Sequence, residues 1–230
     1  MLTTLPPVIL REDFAKLETL LEEGVKREFG ATLQRLHAFL NHDPATNDIL
    51  DDRKSWVPRA PKKPSFGSFG FQDHHWYTFN NGGRNEAQLN VGMYGGDDGH
   101  VRIGLGFERT ERQGGRPKDV SLVYAAFADL LSKKKDPVAR AFIDFMHAEQ
   151  LEVEIWGEGP DLEILPTDKA LAFLMKPREF AWLLVGKLLR AEKDEATLAT
   201  PTLFATTLRR VFGGVRPLWR LANERGRALR

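Results

Sequence analysis

The chain has 230 residues, 42% of them hydrophobic, enough to pack a core in one large domain or in a small domain with a helical appendage. It contains no cysteine, which excludes disulfides, thiolate metal sites and a cysteine nucleophile, and which fits a reducing compartment such as the cytoplasm. The net charge of +1 hides an asymmetry: seven arginines and one glutamate between Arg209 and Arg230 sum to +6, leaving the remainder near −5. A basic terminus of this kind suits either contact with a polyanion or a solvated helix face.

The opening residues, MLTTLPPVILREDF, have no basic lead, and their short apolar run meets Arg11, Glu12 and Asp13 at once. Neither a secretory signal nor a membrane partner is expected, since no stretch approaches the roughly 20 apolar residues of a spanning helix. From Phe14 through Leu17, Leu21, Val25, Phe29, Leu33, Leu36 and Leu40, apolar residues recur every three or four positions. That spacing predicts a helix over 11–41 with one buried stripe, bent where Gly24 or Gly30 falls. Residues 42–64 carry Pro44, Pro58, Pro61 and Pro64 among Arg53, Lys54, Arg59, Lys62 and Lys63, and read as a long basic surface loop.

Three strands follow, over 75–79, 86–94 and 101–108, separated by the glycine-rich turns Asn80-Asn81-Gly82-Gly83-Arg84 and Gly95-Gly96-Asp97-Asp98-Gly99. Short turns between neighbouring strands predict an antiparallel meander. A helix over 119–148, interrupted at Lys133-Lys134-Lys135-Asp136-Pro137, comes next. Residues 151–156 and 161–165 suggest a second hairpin across Gly157-Glu158-Gly159-Pro160. Thr167 suits the N-cap of a helix reaching Met175, and further helices are expected over 179–190, 201–212 and 217–228, the middle one opened by Thr200-Pro201. The expected class is α+β, an antiparallel β-meander and a second hairpin flanked by N-terminal and C-terminal helices. The expected divisions are 1–64, 65–165 and 166–230, packed as one unit.

Strand periodicity gives the meander two faces. Ala87, Leu89, Val91 and Met93, with Val101, Ile103, Leu105 and Phe107, form an apolar one; Glu86, Gln88, Asn90 and Gly92, with Arg102, Gly104, Gly106 and Glu108, form a polar one. Glycine inside a strand is costly unless something comes close to the backbone. A ligand, a docked helix or a sharp bend all satisfy that condition. The lead-in from Ser65 to Phe79 is dense in flat side chains, which serve either an aromatic core strand or base stacking beside nearby cations.

The run Ser68-Phe69-Gly70-Phe71, a polar gap, then Trp76-Tyr77-Thr78-Phe79 resembles the N-terminal DNA-recognition domain of McrB-type modification-dependent restriction systems. The strand ending in Met93-Tyr94 and the strand from Val101 to Glu108 occur in the same order there, so the resemblance covers about residues 64–108. It implies DNA binding in a restriction or phage-defence setting, with a modified base flipped into an aromatic pocket. Phe71 and Trp76 would stack on the base, and Gln88 and Gly92 would line the pocket where that family carries a tyrosine and a leucine. Arg84 in the hairpin turn, together with Arg209, Arg210 and Arg216, would meet phosphates. No Gly-x-x-x-x-Gly-Lys-Ser/Thr pattern occurs, so any motor or nuclease would be a separate subunit.

Asp73, Glu86 and Gln88 also resemble an Asp…Glu-x-Gln nuclease triad, in which carboxylates hold Mg²⁺ at the scissile phosphate. Only under that alternative is a cofactor implied. His74 and His75 are strand neighbours facing opposite ways, a poor pair for one metal ion. A third alternative is an interaction subunit whose C-terminal helices hold a partner without touching nucleic acid.

Overall fold

The computed structural model describes residues 5–18, 32, 35–36, 38–40, 42–43, 57–58, 74–79, 86–94, 99–108, 112–113, 116–117, 119–156, 162–176 and 180–229. The class is α+β. A seven-stranded sheet has the order β1-β2-β3-β4-β9-β7-β8. Its members are β1 (Val57–Pro58), β2 (His74–Phe79), β3 (Gln88–Tyr94), β4 (His100–Glu108), β7 (Glu152–Trp156), β8 (Leu162–Leu165) and β9 (Trp182–Arg190). The expected meander is β2-β3-β4 and the expected second hairpin is β7-β8, with β9 lying between them in the sheet. A separate two-stranded ribbon joins β5 (Arg112–Gln113) to β6 (Arg116–Pro117).

The helices are α1 (Arg11–Glu18), α2 (Asp119–Ser132), α3 (Pro137–Glu149), α4 (Thr167–Leu174), α5 (Glu195–Ala199) and α6 (Pro201–Ala228), with further helical positions among 32–42. The chain divides into two compact units, each discontinuous in sequence.

One unit takes Met1–Phe79, Asn90–Ile103 and Leu188–Phe212. Here Asp13, the third residue of α1, accepts from the Leu10 N–H at 2.9 Å, satisfying a donor that the helix start leaves open. The Ile9 N–H donates to the Leu198 carbonyl at 3.1 Å, which ties the N-terminal segment to α5. Ile9, Phe14, Leu36, Phe39 and Leu40 are buried, as the stripe of three and four spacings requires of those it includes. The loop expected over 42–64 contains β1, paired Val57↔Thr78 and Pro58↔Tyr77. β1 closes one edge of the sheet, where a proline lacking an N–H is tolerated.

The other unit takes Asn80–Leu89, Gly104–Lys187 and Gly213–Arg230. Phe107, Tyr124, Phe127, Phe142 and Phe180 stack and tilt against one another in its core at 4.8 to 6.0 Å between ring centroids. α3 is well capped: Asp136 Oδ1 accepts from the N–H of Val138 at 2.9 Å and Ala139 at 3.3 Å, Pro137 opens the first turn, and Gln150 closes the helix at φ 52°. In α4 the expected Thr167 cap is instead the first helical residue; Pro166 takes the cap position, and the Thr167 hydroxyl donates to the Leu151 carbonyl at 2.8 Å.

The expected helix over 179–190 is a strand. Leu183-Leu184-Val185 and Leu188-Leu189 are buried on both faces of β9. A strand covered on both sides shows no alternation, and its apolar run cannot be told from a buried helix by period alone. Pairing decides the matter: β9 runs antiparallel to β7 from Glu152↔Gly186 to Trp156↔Trp182. The two helices expected over 201–212 and 217–228 are one, with Pro217 inside it. The proline forfeits a backbone bond and crowds the carbonyl four residues back, at about 3 kcal/mol. Burial of Phe204, Leu208 and Phe212 before it, and of Val215, Leu218, Trp219 and Ala222 around and after it, offsets that cost.

Candidate nucleic-acid interface

Both faces of β3 are buried, so the polar face of the meander is not an open wall. Within the first unit, the Arg102 guanidinium spans the two side chains that flank Gly92. Its Nε donates to Asn90 Oδ1 at 3.0 Å, and its Nη1 donates to the Tyr94 hydroxyl at 2.9 Å. Cζ lies 4.8 Å from the Tyr94 ring centroid, and the ring in turn stacks on His100 at 5.1 Å and 11°. Arg102 and His100 are each 3% exposed, which places a cation and an aromatic pair in the interior. Gly92, expected to line a ligand pocket, therefore lies beneath a side chain of its own sheet.

Within the second unit, helix α6 clamps the peptide just before β3. Asn223 accepts from the Ala87 N–H at 2.9 Å and donates to the Ala87 carbonyl at 3.3 Å, and Trp219 Nε1 donates to the same carbonyl at 2.8 Å. The carboxamide offers one acceptor and one donor, as a neighbouring strand would. Beside this clamp the Glu86 side chain is 3% exposed and accepts from Arg227 Nε at 2.8 Å. Gln88 is 1% exposed. Glu86 Oε2 and Gln88 Oε1 are buried without a hydrogen-bond partner among the described residues.

The space above Gly104 and Gly106 is taken by β9. A Cβ on Gly104 would collide with the Val185 carbonyl and come within 2.7 Å of Gly186 Cα. A Cβ on Gly106 would lie 2.6 Å from Trp182 Cη2. Of the three causes that a strand glycine admits, these two serve close approach by the protein itself. The neighbour is a strand and an indole, not the docked helix weighed against the ligand.

The arginines of the C-terminal segment sit on α6, and several are engaged. Arg209, half-exposed, meets the buried Asp43 in the first unit at 2.7 Å. Arg210 is exposed. In the second unit Arg216, Arg220 and Arg227 fall within about 40° of one another around the helix axis. Arg216 and Arg220 are half-buried and Arg227 is exposed. Arg225 lies 3.9 Å from Asp129.

Phe71, Asp73, Arg84 and the basic residues 53–54, 59 and 62–63 lie outside the described residues. Trp76 stands in β2, but its side chain is outside the description too, so the expected aromatic pocket and the Asp73–Glu86–Gln88 triad lie in part outside the described residues. Among the described residues no group of three histidine, aspartate or glutamate side chains can hold a metal ion, and no helix is long and apolar enough to cross a membrane. Sequence reasoning missed Asn223 and Trp219, because a clamp onto a peptide 136 and 132 residues away leaves no local signal. Comparison with family models, curated proteins and solved structures gave no match.

Proposed function

We propose that this chain is a cytoplasmic nucleic-acid-binding module directed to DNA, working in a restriction or phage-defence setting beside a separate motor or nuclease subunit. The observation that supports this reading is the density of arginine on α6, where Arg210 and Arg227 are exposed and Arg209, Arg216 and Arg220 partly so, although Arg209 and Arg227 also hold Asp43 and Glu86. The planar guanidinium fork suits phosphate oxygens, and contacts of that kind position a duplex without reading its sequence. The resemblance over residues 64–108 adds Phe71 and Trp76 as stacking residues for a modified or flipped base, with Arg84 at the phosphate beside it. Gln88 and Gly92 would reach such a base only if the cover over this face opened, so base contact rests first on the two aromatic residues.

The test is a titration of the whole chain with a short fluorescein-labelled duplex at low and moderate salt, with and without methylated cytosine. Binding that weakens steeply as salt rises is the expected result, because neutralised phosphates release counterions. Absence of binding at low salt would overturn the proposal. Equal affinity for the methylated and plain duplexes would remove base recognition and leave DNA binding in place.

A further inference from the structure

The turn between α2 and α3 reads Lys133-Lys134-Lys135-Asp136, and all three lysines are exposed. Asp136 offsets one of these charges, with its side chain turned to cap the N–H groups of Val138 and Ala139. Lys133 Nζ lies 2.6 Å from Asp129 Oδ2, and the same oxygen lies 3.9 Å from Nη1 of Arg225 in the last turns of α6. One half-exposed carboxylate thus holds a lysine of the α2–α3 turn and an arginine of α6 side by side. Exposed pairs of this kind add only about 0–1 kcal/mol to stability, and consecutive lysines beside an arginine repel one another. Fold stability does not account for the grouping, whereas an anionic ligand with repeated charges does.

We infer that Lys133, Lys134, Lys135 and Arg225 form a surface that grips the phosphate backbone of the nucleic acid. The inference rests on the nucleic-acid reading above and adds contacts that the arginines of α6 alone do not supply. Lysine ammoniums are flexible point charges, so this surface anchors the duplex without reading its sequence. Asp129 keeps Lys133 and Arg225 together before the phosphates arrive.

The test is the double variant K134E/K135E in the full chain. Neither lysine makes a side-chain hydrogen bond or ion pair among the described residues, so its thermal midpoint should match the parent's. Lys134→Ala with Lys135→Ala serves as the milder pair should the midpoint move. With a labelled duplex, the plot of log affinity against log salt should flatten by about 1.8, at about 0.9 per lost phosphate contact. If the parent binds and the lysine variants bind with the same affinity and slope, the surface is wrong while the functional proposal stands. A parent that does not bind the duplex at low salt overturns both. Phosphatidylserine vesicles captured by the parent and lost by the variants, with duplex binding unchanged, would assign the lysines to a membrane and overturn the inference.

Discussion

Arg209 and Asp43 meet at a single carboxylate oxygen, with Nε at 2.8 Å and the second guanidinium nitrogen at 2.7 Å from Oδ2. The aspartate side chain is 3% exposed and the arginine 38%, so the pair lies between the surface and buried limits. The Arg209 guanidinium also stands 5.9 Å from the Phe39 ring centroid. This cation, expected from the sequence to meet phosphate, ties α6 to the residue that follows helical position 42. Arg209→Ala should cost about 2 kcal/mol, between the values for exposed and buried pairs, and Arg209→Lys should cost less. Urea unfolding checks both. An unchanged midpoint in the alanine variant would return Arg209 to the solvent-facing role.

Asn223 does for the Ala87 peptide what a strand partner would do. Asn223→Ala leaves the Ala87 N–H buried without its acceptor, at a cost of about 1–3 kcal/mol. Trp219→Phe keeps an aromatic ring but removes the indole N–H and part of the buried ring volume, so about 1–3 kcal/mol is expected, although Asn223 still serves the carbonyl. Hydrogen exchange separates the two, because the Ala87 amide should lose protection in the Asn223 variant and keep it in the Trp219 variant.

The parts of the fold legible in the sequence are those with local signals. Alternation from Ala87 to Met93 and from Val101 to Phe107 marked β3 and β4, and every residue of that apolar face is buried. The run from Lys133 to Pro137 marked the interruption between α2 and α3. β9 was hidden because Leu183 to Leu189 has no alternation and is rich in helix-forming leucine. Pro217 signalled a break that burial on both sides of it overrides. The polar face of the meander was legible as polar, but not as covered, since Trp182 lies against Gly106 and Arg227 of α6 against Glu86, both far along the chain. The basic character of α6 was legible too. Which arginines are spent on Asp43, Glu86 and Asp129 depends on tertiary neighbours that no spacing encodes.

Gly106 sits against the Trp182 indole, so a side chain there competes with that ring. Gly106→Ala should lower stability by about 1–3 kcal/mol, the usual cost of overpacking. Combining it with Trp182→Leu should cost less than the sum of the two single changes, because the smaller side chain makes room. Gly104→Ala offers no such rescue, since its obstacles are the backbone of Val185 and Gly186. Thermal midpoints of the single and double variants provide the measurement. Strict additivity for Gly106 and Trp182 would show that the indole is not what the glycine accommodates.

Glu86 decides between the binding module and the Mg²⁺ nuclease. Its Oε1 accepts from Arg227 Nε at 2.8 Å, with the glutamate side chain 3% exposed and the arginine 46%. Glu86→Gln keeps an oxygen for Arg227 and removes the buried charge, so the fold should survive. It also leaves Arg227 without a competing carboxylate, so duplex affinity should hold or rise. Arg227→Ala does the reverse, stranding a buried carboxylate and lowering the thermal midpoint. Adding Glu86→Gln to Arg227→Ala should restore part of that loss, because the charge left unpaired is gone. A plasmid incubated with Mg²⁺ is the second readout. The binding module leaves the plasmid intact with parent and variant alike. If the parent nicks it and Glu86→Gln abolishes nicking while duplex binding persists, Glu86 is a metal-holding carboxylate and the nuclease reading takes its place.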